Sequence, residues 1–183
     1  MAKLVGIAGS LRKSSYNRAL IAAAKEAMPE GSELEVLSID DVPLYNGDVE
    51  KASGTPDPVA RLRKQIGAAD GIVISTPEYN ASIPGVLKNA VDWISRPVEG
   101  EGSVFAGKPL ALMGATPGGL GTALSQTAWL PTLRDLRLVY WTGGGNFRLS
   151  RASEEISDGR LSESKMAALE KFMGSFAAFV DGR

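Results

Sequence analysis

Apolar and polar positions switch between two periods along this chain, and the switches predict its elements. Residues 3–9 carry Leu4, Val5, Ile7 and Ala8 and read as a buried strand. Residues 17–28 follow as a helix built around Ala19-Leu20-Ile21-Ala22-Ala23-Ala24, and Leu34, Val36, Leu37 and Ile39 mark a second strand over 33–39. Residues 40–57 are polar and turn-rich (Pro43, Asn46-Gly47, Gly54, Pro56), which predicts a loop. Leu62 and Ile66 place one apolar side on a helix over 59–69. Gly71-Ile72-Val73-Ile74-Ser75 is a continuous apolar run, the pattern of a strand covered on both faces. Pro84 is suited to a first helical position, and Val86, Leu87, Ala90, Val91 and Ile94 carry that helix to about residue 95. A loop over 97–107, a strand over 109–115 and, after the loop ending at Thr122, a helix to about residue 133 come next. Residues 137–142 read as a fifth strand and 143–160 as irregular. Ser162 then caps a last helix with Met166, Leu169, Phe172, Met173, Phe176 and Phe179 at helical spacing.

Strand and helix thus alternate five times, with crossovers long enough for parallel pairing. The pattern predicts an open parallel α/β sheet with helices on both faces, one domain over residues 1–183. Ligands of such sheets bind beyond the carboxyl ends of the strands. The three chemically loaded loops follow strands one, three and four, so all three fall on that rim.

Composition narrows the chemistry. The net charge of −1 offers no basic excess to neutralise a nucleic acid. No apolar run approaches the roughly 20 residues of a membrane helix. The start, Met1-Ala2-Lys3, runs straight into a strand, so a cytoplasmic location is expected. There is no Cys and no His. That removes thiolate nucleophiles, zinc–sulfur sites, imidazole metal sites and a Ser–His–Asp triad. A cofactor that carries its own reactivity suits this restricted kit.

The loop after strand one, Gly9-Ser10-Leu11-Arg12-Lys13-Ser14-Ser15-Tyr16-Asn17, joins a buried strand to a helix. Unpaired amides of a first helical turn, hydroxyls of Ser10, Ser14 and Ser15 and the fork of Arg12 suit an anion. A solvated turn in which Ser and Asn merely cap the helix is the alternative. After strand three, Pro77-Glu78-Tyr79-Asn80 with Ser82 and Pro84 holds its amides stiffly, and Tyr79 offers an aromatic wall. A stiff connection with Glu78 as a cap accounts for it equally. Thr116-Pro117-Gly118-Gly119 allows close backbone approach to a flat group, or simply a tight turn. Arg96 ends the helix over 84–95, where a cation is favourable in any case. Gly102-Ser103-Val104-Phe105-Ala106-Gly107-Lys108 matches the front of a P-loop. It then fails, because Pro109 replaces the metal-binding hydroxyl and a strand follows where a helix is required.

Together these residues resemble the NADPH-dependent FMN reductase family, which includes bacterial chromate and quinone reductases and azoreductase-like enzymes. The resemblance rests on Gly9-Ser10-Leu11-Arg12, Ser15 and Asn17, and on Pro77-Glu78-Tyr79-Asn80 with Ser82, Pro84, Leu87, Lys88, Asn89, Asp92 and Trp93. Pro117-Gly118-Gly119 also fits, and the likeness is weakest after Gly143. It implies a flavodoxin-like three-layer sandwich whose five-stranded parallel sheet has order 2-1-3-4-5.

By that resemblance Ser10, Arg12, Ser15 and Asn17 hold the FMN phosphate. Pro77, Glu78, Tyr79 and Asn80 line the isoalloxazine, largely through backbone amides, with Thr116, Pro117, Gly118 and Gly119 on its other side. Arg96 matches a position near the flavin in some members and is the one catalytic residue expected. NADPH or NADH would deliver hydride to the flavin, and a second small acceptor would collect it in a ping-pong cycle. That acceptor would be a quinone, an azo compound, chromate, a ferric chelate or free flavin. Members are typically dimers or tetramers, with the helix over 84–95 in the contact, so a homo-oligomer is expected. A flavodoxin-type electron carrier and a non-enzymatic FMN-binding module are the rivals. Arg12 and the near-neutral charge count against the carrier.

Overall fold

A computed structural model describes residues 1–183. Five strand positions form one parallel sheet: Lys3–Ala8 (β1), Glu33–Leu37 (β2), Gly71–Ser75 (β3), Pro109–Ala115 (β4) and, beside β4, Val139–Tyr140 (β5) with Phe147–Leu149 (β6). The order is β2-β1-β3-β4-β5, with β6 also paired to β4. This is the expected order, and every pairing in the sheet is parallel.

The period of two along each strand sorts side chains into two cores. Leu4, Val73, Ala111 and Met113 face one side, where they meet Leu20 and Ile21 of helix Tyr16–Glu26 (α1) and Phe172 and Phe176 of the last helix. Val5, Ile7, Ile72, Ile74, Leu110 and Leu112 face the other. There they meet Leu62 and Ile66 of helix Asp57–Ala68 (α3) and Leu87, Val91 and Ile94 of helix Gly85–Ile94 (α4). Each large apolar side chain so buried stabilises the fold by about 1.5–3 kcal/mol.

Three stretches differ from the sequence reading. Residues 40–57 hold a short helix, Gly47–Ser53 (α2), capped by Asn46, whose Oδ1 accepts the Asp48 N–H at 2.9 Å. None of its residues is buried, so no apolar period announces it. The helix expected from after Thr122 to about Leu133 is two pieces, Ala123–Ala128 (α5) and Leu130–Asp135 (α6). Pro131 in the first turn of α6 lacks the N–H that would continue the ladder.

The fifth strand is also interrupted. Trp141 turns into the core against Phe172 and Phe176, with ring centroids 5.2 Å away in both pairs. Gly143 and Gly144 pass across its indole, where a Cβ would lie 2.7 and 2.5 Å from ring atoms. The chain therefore leaves the sheet after β5 and rejoins it as β6. The region read as irregular carries further order: helix Ala152–Glu155 (α7) and the hairpin of Ile156–Ser157 (β7) and Arg160–Leu161 (β8). Asp158 and Gly159 turn that hairpin at φ 49° and 78°. Glu163–Asp181 (α8) closes the chain. No helix is long and apolar enough to cross a membrane.

Candidate functional site at the carboxyl rim

The loop after β1 is set by its neighbours. The Gly9 N–H donates to Ser75 O at 2.9 Å, extending the β1–β3 ladder beyond the last strand residue. Arg18 holds the loop from the side: its Nε donates to Ser10 O at 2.9 Å while its guanidinium pairs with Asp40. Ser15 caps α1, its Oγ accepting the Asn17 N–H at 3.2 Å. The Ser10 hydroxyl is buried beneath the loop and accepts the Arg12 N–H at 3.4 Å. The N–H groups of Leu11, Lys13, Ser14, Ser15 and Tyr16 donate to no protein acceptor. Arg12 is exposed and pairs with no carboxylate.

Asn17 departs from the expected arrangement. Its side chain turns inward rather than to the loop, and is only 3% exposed. Its Oδ1 accepts the Ser75 hydroxyl at 3.0 Å and the Ala115 N–H at 2.9 Å, and its Nδ2 donates to Ala115 O at 2.9 Å. One amide therefore ties the start of α1 to the ends of β3 and β4. What Asn17 does for the loop is to fix where it stands.

The loop after β3 is braced at both ends. The Thr76 N–H donates to Met113 O at 2.8 Å. The Thr76 hydroxyl donates to Pro77 O at 3.0 Å, lies 2.9 Å from the Ser125 hydroxyl and accepts the Trp129 indole N–H at 3.1 Å. Tyr79 and Ser82 exchange backbone bonds of 3.1 and 3.0 Å across a turn whose central residues, Asn80 and Ala81, sit at φ 50° and 59°. This left-handed pair costs strain that Asn tolerates better than Ala. It leaves Tyr79 partly exposed on the rim.

The Glu78 side chain reaches across to the next loop. Its Oε2 accepts the N–H groups of Leu124 at 2.9 Å and Ser125 at 3.2 Å, at the start of α5. Thr122, at the cap position of that helix, is left-handed and caps nothing with its side chain. The capping role weighed for Glu78 is thus realised on a distant helix.

After β4, residues 116–121 are held by the chain beyond β6. Thr116 N–H donates to Leu149 O at 3.0 Å, Ala152 N–H to Thr116 O at 2.9 Å and Arg151 N–H to Gly118 O at 3.0 Å. The Thr116 hydroxyl accepts the Gly118 N–H at 3.3 Å. A Cβ on Gly119 would meet nothing within 4 Å, and one on Gly118 only Thr116 Oγ1 at 3.7 Å. Pro117, Gly118 and Gly119 therefore border open space.

Topology and these bonds bring Ser10, Arg12, Ser15, Pro77, Glu78, Tyr79, Asn80, Thr116, Pro117, Gly118 and Gly119 to one rim. Arg96 is not brought there. α4 starts at the rim and runs back along the sheet, about 15 Å for its ten residues, so Arg96 stands near the amino ends of the strands. Its Nε donates to both carboxylate oxygens of Glu50 at 3.1 Å, and its guanidinium lies 5.5 Å from the Tyr45 ring centroid. The Tyr45 hydroxyl donates to Glu50 Oε2 at 2.9 Å. That bond pushes the tyrosine up and, with Arg96, holds the glutamate below its ordinary value.

The P-loop-like stretch also resolves. Lys108 donates to the carbonyls of Gly67 and Ala69 at the end of α3, and burial lowers its pKa. The cleft beside it, about 930 Å³ and lined by Lys64, Asp70, Glu101 and Ser103, lies at the opposite end of the sheet from the rim.

The rim is an open shelf with a definite chemistry. A run of free amides beside Arg12 suits a phosphate monoester. The phosphate of FMN fits this donor set. Tyr79, an exposed aromatic, and Gly118-Gly119, which border open space, lie on neighbouring loops of that rim.

Fold and rim define a flavodoxin-like α/β chain whose loops after β1, β3 and β4 share one rim. Comparison with known proteins narrows the class. The sequence profile of the NADPH-dependent FMN reductase family matches residues 2–150. A 2-hydroxy-1,4-benzoquinone reductase of Burkholderia sp is 37% identical over 182 residues, 99% of this chain and 97% of that protein. An NAD(P)H-dependent FMN reductase of Pseudomonas aeruginosa is 51% identical over 124 residues, 68% of this chain and 65% of that protein. Among solved structures, the flavoenzyme NAD(P)H:(acceptor) oxidoreductase FerB of Paracoccus denitrificans superposes with a TM-score of 0.86 at 32% identity. That superposition covers 100% of this chain and 98% of the other. The chain belongs to the NADPH-dependent FMN reductase family.

Proposed function

We propose that this protein is an FMN-dependent NAD(P)H oxidoreductase whose acceptor is a quinone. The observation that carries the reading is the set of unpartnered amides of Leu11 and residues 13–16 beside the Arg12 side chain, on the same rim as the loops after β3 and β4. FMN, when bound, supplies the redox chemistry, taking hydride from NAD(P)H and yielding it to the acceptor.

The chain's own part is to bind and orient. Arg12, the Ser10 hydroxyl and the loop amides neutralise the phosphate. Residues 77–82 and 116–119, on the loops after β3 and β4, would hold the ring. Donor and acceptor would then react in turn, in a ping-pong cycle. Overall, NAD(P)H, a proton and a quinone become NAD(P)+ and a hydroquinone.

The working form we propose is a homo-oligomer. Leu44 is 85% exposed, and Tyr45 and Val49 stand beside it next to the C-terminal half of α4. A second copy seated there would also give Arg96 its only route to a flavin. The setting is cytoplasmic, where reduced nicotinamide is plentiful and a cysteine-free chain needs no oxidising compartment.

The test is a visible spectrum of the purified protein with FMN, followed by NADPH under anaerobic conditions. Flavin bands that bleach, then return on adding a quinone, are expected. A protein that neither binds FMN nor gains thermal stability from it would overturn the reading. A ligand at a hundred times its Kd stabilises by about 2.7 kcal/mol, which a melting curve resolves.

A further inference from the structure

Charge on the rim is unbalanced. Across residues 9–15, 77–82, 116–122 and 146–152 the charged side chains are Arg12, Lys13, Glu78, Arg148 and Arg151. The Glu78 carboxylate is spent on the amides of α5. A chain of net charge −1 therefore presents four free cations on this one surface. The phosphate of FMN accounts for the first two, on the loop after β1. Arg148 and Arg151 stand apart from that loop, and the flavin leaves them without an anion.

Their position is built in. Arg148 lies opposite Gly114 in the β4–β6 pairing. A Cβ on Gly121, which sits at φ 55°, would lie 2.8 Å from Arg148 Cβ and 3.0 Å from its carbonyl carbon. Only glycine lets β6 and the ring-facing loop approach so closely. Arg151 donates its N–H to Gly118 O at 3.0 Å and is itself held left-handed, at φ 49°. Both side chains are exposed, and neither has a carboxylate within salt-bridge distance. Two exposed arginines without a carboxylate partner thus stand on the strand and loop that brace residues 116–121.

We infer that Arg148 and Arg151 bind the 2′-phosphate of NADPH and make the protein prefer NADPH to NADH. The inference rests on the proposed function and adds the residues that choose between the two donors. A 2′-phosphate is a dianion with three free oxygens, the geometry that paired arginine forks match. The phosphates of a pyrophosphate carry one charge each and are ordinarily met by backbone amides. NADH offers only the latter.

The experiment compares 2′,5′-ADP with 5′-ADP by calorimetry on the FMN-loaded protein, and NADPH with NADH in rapid anaerobic reduction. Wild type should favour the 2′-phosphorylated member of each pair by tenfold or more, about tenfold per arginine contact. Arg148→Gln with Arg151→Gln should erase that preference while leaving 5′-ADP, NADH and FMN binding unchanged. Lys171→Gln, a single-charge control on exposed α8, should retain it. Arg151→Gly, which relieves the left-handed strain, guards against a folding defect and should lose part of the preference.

Equal loss toward both members of a pair would assign the arginines to the pyrophosphate and overturn the inference. So would a wild type that does not discriminate, or a double variant that still does. Failure to bind FMN at all would instead sink the flavin reading, so the two failures are separable.

Discussion

Glu78 caps a helix 46 residues away: its carboxylate accepts the Leu124 N–H at 2.9 Å. The bond fastens the loop after β3 to the loop after β4, the two segments that face one another across the proposed flavin shelf. It also serves an element with no cap of its own, because Thr122 is left-handed and α5 is only six residues long. Removing it should therefore loosen the site more than the fold.

Glu78→Ala should lower stability by about 1 kcal/mol, the usual cost of a lost cap. FMN affinity should fall several-fold as residues 77–80 lose their registry with 116–119. Glu78→Gln keeps an acceptor oxygen and should recover most of both. Urea denaturation with a flavin-fluorescence titration measures the two effects. Unchanged FMN affinity in Glu78→Ala would mean that the bridge does not shape the shelf.

Arg12 should act on the phosphate alone. Arg12→Ala is expected to weaken FMN binding about 10- to 100-fold, the loss of one or two charge-assisted hydrogen bonds. Riboflavin, which has the same ring and no phosphate, should bind wild type and variant alike. Equal weakening toward both ligands would place Arg12 elsewhere.

Asn17 should behave as a structural clamp. Asn17→Ala leaves the Ala115 N–H and carbonyl and the Ser75 hydroxyl without their buried partner. The expected cost is about 3 kcal/mol, since each orphaned group costs on the order of 1–3 kcal/mol. The loss should appear in chemical denaturation without FMN. A variant of native stability with weak FMN binding would instead restore a direct phosphate role.

What could be read from sequence was local. The apolar runs of β1, β3 and β4, and the loop compositions at 9–17, 77–80 and 116–119, each sit within a few residues. Their common rim follows from strand order. What could not be read depends on partners far along the chain. Asn17 was legible as a cap, but its inward amide needs Ala115, 98 residues on. Glu78 needs α5, and α2 has no buried face to show a period. Arg96 looked available because Glu50, its partner, lay in a stretch read as loop. Arg148 and Arg151 stood in a segment read as irregular. Only the Gly121 contact and the pairing of β6 with β4 bring them to the shelf. A run of two arginines three residues apart carries no such message by itself.

The Tyr45–Glu50–Arg96 cluster should make one face of the molecule pH-dependent. The Tyr45 hydroxyl bond, and then Arg96, hold the Glu50 carboxyl below the ordinary glutamate value. A depressed carboxyl favours the folded arrangement while it is ionised. Its contribution is complete above the ordinary value of about 4.3 and is lost as pH falls through the folded one. Protonation releases α2 and Tyr45 from the end of α4. Tyr45 lies edge-on to Trp93 with centroids 4.8 Å apart, and the Trp93 indole N–H donates to Pro43 O at 3.0 Å. The Trp93 indole resonance is therefore the reporter. It should shift as wild type is acidified below the ordinary glutamate range. In Glu50→Gln it should already be displaced at neutral pH and show no acid step. A wild-type signal that stays fixed while the fold persists would mean that Glu50 does not hold this face together.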